Sequence, residues 1–224
     1  MATIEKWLDG QLPDMKKNMT VVRDIPFYHI SFDAKIKKMR PRIGERQAKQ
    51  EDRTIPRICG APHLQGCILG HTGVMNAYDR KPGDDDSQWN GQMAIYEIKA
   101  SGYIRPTKKL VFDVNETDEI WIVPFDPSVY ELVPERIGWM YLSKTVVTRE
   151  DGRVEYQNTF YVKLDKGTLM IGEKGYTKGY YAFEMNGPLV ASFTKFDDDP
   201  YNVRQITASE WDNAVASFKK NTGG

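Results

Sequence analysis

The chain has 224 residues, enough for one large domain or for a medium domain with a small one attached. Lys+Arg and Asp+Glu both number 31, so no net field draws the whole molecule to nucleic acid or an anionic membrane, and any such attraction has to be local. Two cysteines exclude a disulfide framework. No stretch approaches the roughly 20 apolar residues of a membrane span, and the opening MATIEKWLDGQLPDMKK holds no apolar run of signal-peptide length. A soluble cytoplasmic protein without a membrane role is the expectation.

In chain order, TIEKWLDG predicts a short helix capped by Thr3 and stopped by Gly10. Ile25 to Phe32, IPFYHISF, predicts a strand from its aromatic and β-branched content. Lys35 to Arg57 carries nine basic residues against three acidic ones and three breakers, Pro41, Gly44 and Pro56. It reads as a long loop, with at most one helical turn over Lys35 to Met39, and either a solvated face or a surface that meets phosphates.

RICGA predicts a short strand, and Leu64, Ile68, Met75 and Tyr78 recur at helical spacing after Pro62. GQMAIYEIKA, KKLVFDV, EIWIVPFD and GWMYLSKTVVTRE predict four more strands. From Asp151 the texture changes to aromatic alternations punctuated by Lys-Gly and Asn-Gly, which predict hairpins. ITASEWDNAVASFKKN predicts a terminal helix with a Thr207–Glu210 capping box and an apolar face of Trp211, Val215 and Phe218. These readings divide the chain into residues 1–150 and a small β-rich module, residues 151–224, ending in a helix; equally, the tail could complete the first sheet.

Cys59, His63, Cys67 and His71 stand four apart, as a zinc ligand set might be counted. Along one helix, however, Cys59 and His71 would lie roughly 18 Å apart, whereas zinc needs every ligand within about 2.0–2.3 Å of the metal. Gly60 and Pro62 also interrupt any single helix. The expectation is therefore no metal site, with the segment serving as a strand, a tight turn and a helix that form one wall of a pocket.

The order of motifs is more informative than their spacing. FYHIS is followed by the basic loop, then TIPRICGAPHLQGCILG, MAIYEIKA and TDEIWIVPF. Over roughly Phe27 to Phe125 this resembles the ADP-ribosyltransferase family, in particular its small, divergent bacterial and phage members of His-Tyr-Glu type. The resemblance implies an α+β protein, with a pair of β-sheets around an NAD-binding cleft and flanking helices. The C-terminal β-hairpin and helix module is additional to it.

The resemblance further implies that His29, with Tyr28 beside it, binds a ribose of NAD and that Glu119, heading EIWIV, is catalytic. Arg57 and Arg42 would hold the pyrophosphate, since a guanidinium matches phosphate geometry. Tyr78 and Tyr96 are candidates for the tyrosines that sandwich nicotinamide. Thr117 stands two residues before Glu119, where an arginine-directed transferase carries Gln or Glu, which speaks against arginine as acceptor. The expected function is NAD-dependent ADP-ribosyl transfer or NAD hydrolysis, as a phage or bacterial effector acting on a host protein. The alternative is a non-enzymatic binder of a nucleotide or partner, such as a phage inhibitor of a host defence protein. A nucleic-acid partner is disfavoured by the zero net charge.

Overall fold

A computed structural model describes residues 3–44, 51–78, 92–148, 150–184 and 202–221. In chain order its elements are α1 (Ile4–Asp9), α2 (Pro13–Lys16), β1 (Met19–Val22), β2 (Tyr28–Ser31), β3 (Ile58–Gly60), α3 (Leu64–Leu69), α4 (Thr72–Tyr78), β4 (Gln92–Glu97) and β5 (Tyr103–Pro106). They continue with α5 (Val114–Thr117), β6 (Ile120–Ile122), β7 (Glu135–Thr148), β8 (Val154–Leu164), β9 (Leu169–Ile171), β10 (Lys174–Tyr176), β11 (Gly179–Glu184), β12 (Arg204–Gln205) and α6 (Ala208–Asn221). The protein is mixed α+β, with mostly antiparallel sheets and few helices. Among the described residues no helix is long and apolar enough to cross a membrane.

Two compact units share the chain. The first comprises Met1–His29, Lys35–Gly70 and Tyr96–Arg136. Its four-stranded sheet runs β1-β5-β6-β3, with Ile104 of β5 and Cys59 of β3 both opposite Trp121 of β6. Phe27, Ile98, Ile104, Leu110, Val111 and the whole of β6 fill its core. That burial explains why β6 is apolar at every position: both of its faces are covered.

Two expectations fail in this unit for local reasons. The strand expected over KKLVFDV is a turn leading into α5, because Leu110 and Val111 both donate to Thr107 O, at 2.9 and 3.1 Å. Leu110, Val111 and Val114 still reach the core, at a spacing that suits a turn of helix. Likewise, Lys35 to Met39 forms no helical turn. Ala34 and Lys35 form a turn, Ile36 to Lys38 carry no regular element, and Met39 and Leu132 exchange hydrogen bonds of 2.8 Å in both directions. The expected strand over Ile25 to Phe32 is shorter, covering β2 alone.

The helical stretch after Pro62 divides into α3 and α4 at Gly70 and His71. Here the evenly spaced histidines find their use. His63 caps α3, its Nδ1 accepting from Gly66 N at 3.0 Å, and His71 Nδ1 accepts from Val74 N at 3.4 Å. Each satisfies a backbone N–H that a helix start leaves without an intrahelical partner. Cys67 is buried, and its thiol donates to Tyr28 O at 3.2 Å. Among the described residues no group of three or more His, Cys, Asp or Glu could hold a metal ion.

The second unit comprises Ile30–Ala34, His71–Ile95 and Ile137–Gly224 and is built on a six-stranded sheet in the order β12-β11-β8-β7-β4-β2. Strands β7 and β8 form one long hairpin, paired from Gly138↔Leu164 to Thr148↔Val154. The division expected at residue 150 therefore falls in the turn of this hairpin, and both arms lie mostly in the second unit. Lys166 and Gly167 do turn the chain, with φ +71° at Gly167, but the strands they join do not pair with each other. Strand β8 pairs β7 and β11, and β9 pairs β10. The Asn186–Gly187 turn lies outside the described residues. The capping box on α6 forms as expected: Thr207 N donates to Glu210 Oε2 at 2.9 Å and Glu210 N to Thr207 Oγ1 at 3.1 Å.

Candidate functional site

Most of the residues singled out in the sequence fall in the first unit, and they gather around Cys59. Strand alternation explains the gathering. Cys59 lies opposite Trp121, so Arg57 and Cys59 on one strand share a face with Glu119 and Trp121 on the other. Glu119 is the diagonal neighbour of Cys59, within reach of its side chain. Two devices deliver Glu119 to the head of β6. Asp118 caps α5 in the left-handed region (φ 49°), which Asp tolerates better than most residues, and its N–H returns to Val114 O at 2.8 Å. Its carboxylate meets Arg105 at 3.3 Å and His63 Nε2 at 3.6 Å. Gly66 of α3 provides the other: a Cβ at that position would run into Thr117 O and lie 2.6 Å from Ala61 Cβ.

Glu119 is part-exposed at its residue surface, and the indole of Trp121 holds its carboxylate. Trp121 Nε1–H donates to Oε1 at 2.5 Å, and Cys59 stands diagonal to Glu119 on the neighbouring strand. Burial nonetheless pushes its pKa above the ordinary 4.5, against the lowering pull of Trp121, Cys59 and Arg57. Burial likewise pushes the Cys59 thiol well up, helped by the neighbouring carboxylate, so Cys59 is a proton donor and not a thiolate nucleophile. The Cys67 thiol is pushed up to about 12, chiefly by burial.

His29 joins the cluster from β2. Its Nδ1 lies 2.9 Å from Cys59 O, and since a carbonyl only accepts, Nδ1 carries the proton and Nε2 keeps its lone pair. Burial lowers its pKa below 6.5, outweighing the carbonyl contact and aided by the charge of Arg42. At neutral pH His29 is therefore a neutral ring offering an acceptor at Nε2. Arg42 is exposed, and its backbone is fixed by reciprocal hydrogen bonds with Arg57, at 3.2 and 3.0 Å.

No family model matches this chain, and no curated protein or solved structure proves similar to it. The reading of the site therefore rests on its own geometry.

Three of the expected ligand contacts, Tyr28, Arg57 and Tyr96, are engaged in the interior. Tyr28 is 1% exposed and belongs to the core, so of the adjacent pair it is His29 that reaches the part-exposed face. The side chain of Arg57 is 0% exposed. Its Nη1 donates to Asp52 O at 2.8 Å and Ile55 O at 3.3 Å, its charge faces Glu51 and Asp52, and its Cζ sits 4.2 Å from the centre of the Trp121 ring. A guanidinium so enclosed does not meet a pyrophosphate; among the described residues Arg42 is the cation whose charge acts on His29. Tyr78 ends α4 in the second unit, and its side chain lies outside the described residues. Tyr96 is buried and accepts from Ile36 N at 3.2 Å. Sequence reading missed Cys59 and Trp121 as parts of the site. The period-two pairs 57/59 and 119/121 were the signal that could have found them.

Proposed function

We propose that the protein is an NAD-consuming enzyme on an ADP-ribosyltransferase-like scaffold, transferring ADP-ribose to a target or to water. The observation that carries this reading is the convergence of His29 and Glu119 on one residue, Cys59, although 90 residues of sequence separate them. Each offers an acceptor: Nε2 of a neutral imidazole at one end and a held carboxylate at the other. Paired acceptors suit the hydroxyl donors of a sugar, and the exposed Arg42 adds a positive charge for the diphosphate that joins two riboses.

In the proposed reaction the bond between ribose C1′ and the nicotinamide nitrogen breaks, and its electron pair neutralises the nicotinamide ring. Positive charge spreads over C1′ and the ring oxygen, as in glycoside hydrolysis. A carboxylate already oriented before that charge develops stabilises the transition state more than the ground state. Water or an acceptor hydroxyl, carboxylate or amide then adds to C1′, and any proton it sheds leaves to solvent.

The test is release of nicotinamide from NAD by the purified protein, followed by chromatography. Glu119→Gln should reduce that release by on the order of a hundredfold or more, with little change in melting temperature. Turnover that survives Glu119→Gln would remove the role assigned to this carboxylate.

One observation favours a second reading, in which the protein binds a nucleotide or a partner without turnover. Tyr28 and Arg57, two of the expected ligand contacts, are engaged in the core. On that reading no nicotinamide appears; NAD and ADP-ribose raise the melting temperature if the protein binds a nucleotide, and a partner is retained from host lysate with no ligand effect if it binds a protein.

A further inference from the structure

We propose that Trp121, Cys59 and Arg57 form a supporting layer that fixes the orientation of the Glu119 carboxylate, making them positioning residues. As a statement about catalysis this rests on the reading of Glu119 given above; as a statement about the carboxylate it stands on its own. The indole N–H is a donor only, and it is spent on Glu119 Oε1. Cys59 stands opposite Trp121 and diagonal to Glu119, so the pairing register puts its thiol within reach of the carboxylate from the neighbouring strand.

Behind them sits Arg57. Its guanidinium lies over the Trp121 ring, with Cζ 4.2 Å from the ring centre. Backbone oxygens of Asp52 and Ile55 fix the guanidinium in turn. A cation against the ring face withdraws electron density from the indole and strengthens its N–H as a donor. Trp121 and the Arg57 side chain are both 0% exposed. Neither can reach a ligand directly, so any effect on turnover has to pass through Glu119.

Trp121→Phe separates the roles, because it keeps a ring for Arg57 and removes only the N–H. In the full chain, the titration of the Glu119 side-chain carboxyl is followed by carbon-13 NMR in wild type and variant, assigned with Glu119→Gln. The expected result is a titration moved to higher pH, since the carboxylate has lost a donor. With NAD, kcat should fall on the order of tenfold to hundredfold with KM within about twofold, and the acidic limb of the pH profile should move the same way. Cys59→Ala should show a smaller shift, and Cys59→Ser, which restores an O–H donor, should recover it. This pair decides the matter if Trp121→Phe does not fold.

An unchanged Glu119 titration in a folded Trp121→Phe protein overturns the proposal. A rise in KM with kcat preserved also overturns it, because that is the signature of a lost ligand contact. Should wild type release no nicotinamide, the NAD reading fails, while the titration still decides whether the layer holds the carboxylate.

Discussion

His29 meets Cys59 through a carbonyl oxygen, and that contact settles which of its nitrogens keeps a proton at neutral pH. The consequence for stability has a definite sign. Its folded pKa lies below the ordinary 6.5, so between those two values the unfolded chain binds the proton first. His29 therefore contributes stability that is present above pH 6.5 and is lost as pH falls through the folded value. Melting temperatures of wild type and His29→Gln should draw together as pH is lowered from 7 to 5; a constant gap would show that the ring is not held neutral. Glu119 has the opposite sign: its folded pKa is above 4.5, so its contribution declines as pH rises from 4.5 through the folded value. At this scale residue types and their alternation were legible in the sequence, but the fates of Arg42 and Arg57 were not. Both are arginines of one basic run, and only tertiary burial separates the exposed one from the one stacked on Trp121.

Short elements set the geometry of the site. The close approach of α3 to α5 depends on Gly66, where any side chain meets Thr117 O. Gly66→Ala should cost about 1–3 kcal/mol, as overpacking commonly does, and should lower nicotinamide release by displacing the turn that delivers Glu119. Urea denaturation checks the first effect and the NAD assay the second. On α6, Thr207→Ala removes one half of the capping box and should cost about 1 kcal/mol in the same urea experiment. Helices with clear start signals, α1 and α6, were legible with their N-terminal caps. Segment 108–114 was not, because its apolar residues suit a strand by composition and a helical turn by spacing, and the hydrogen bonds to Thr107 O decide for the turn. The capping roles of His63 and His71 were not legible: their ligand-like spacing could be set aside as a metal site, but it did not show that each ring accepts from a backbone N–H.

At the scale of the whole molecule, the chain returns repeatedly to each of its two units, and a boundary drawn at one sequence position cannot describe that. Only β-pairing between distant segments reveals it, as in the β7–β8 hairpin that bridges residue 150. Within the second unit, α6 is fastened to the sheet by Trp211, whose ring lies edge-on to Tyr141 at 5.1 Å and tilted against Tyr180 at 6.1 Å. Trp211→Ala should lower the stability measured by urea unfolding by about 3–5 kcal/mol; a loss below 1 kcal/mol would mean that the helix contributes little to this unit.

The stacking of Arg57 beneath Trp121 has an optical consequence. Indole emission responds to nearby charge and to the partner of its N–H, and Trp121 has a guanidinium on its face and a carboxylate at its nitrogen. A compound that draws Glu119 toward itself should shift the fluorescence of this one tryptophan, and the difference between wild type and Trp121→Phe spectra isolates the signal from the other four. The protein thus carries a built-in dye for screening small molecules without any added label.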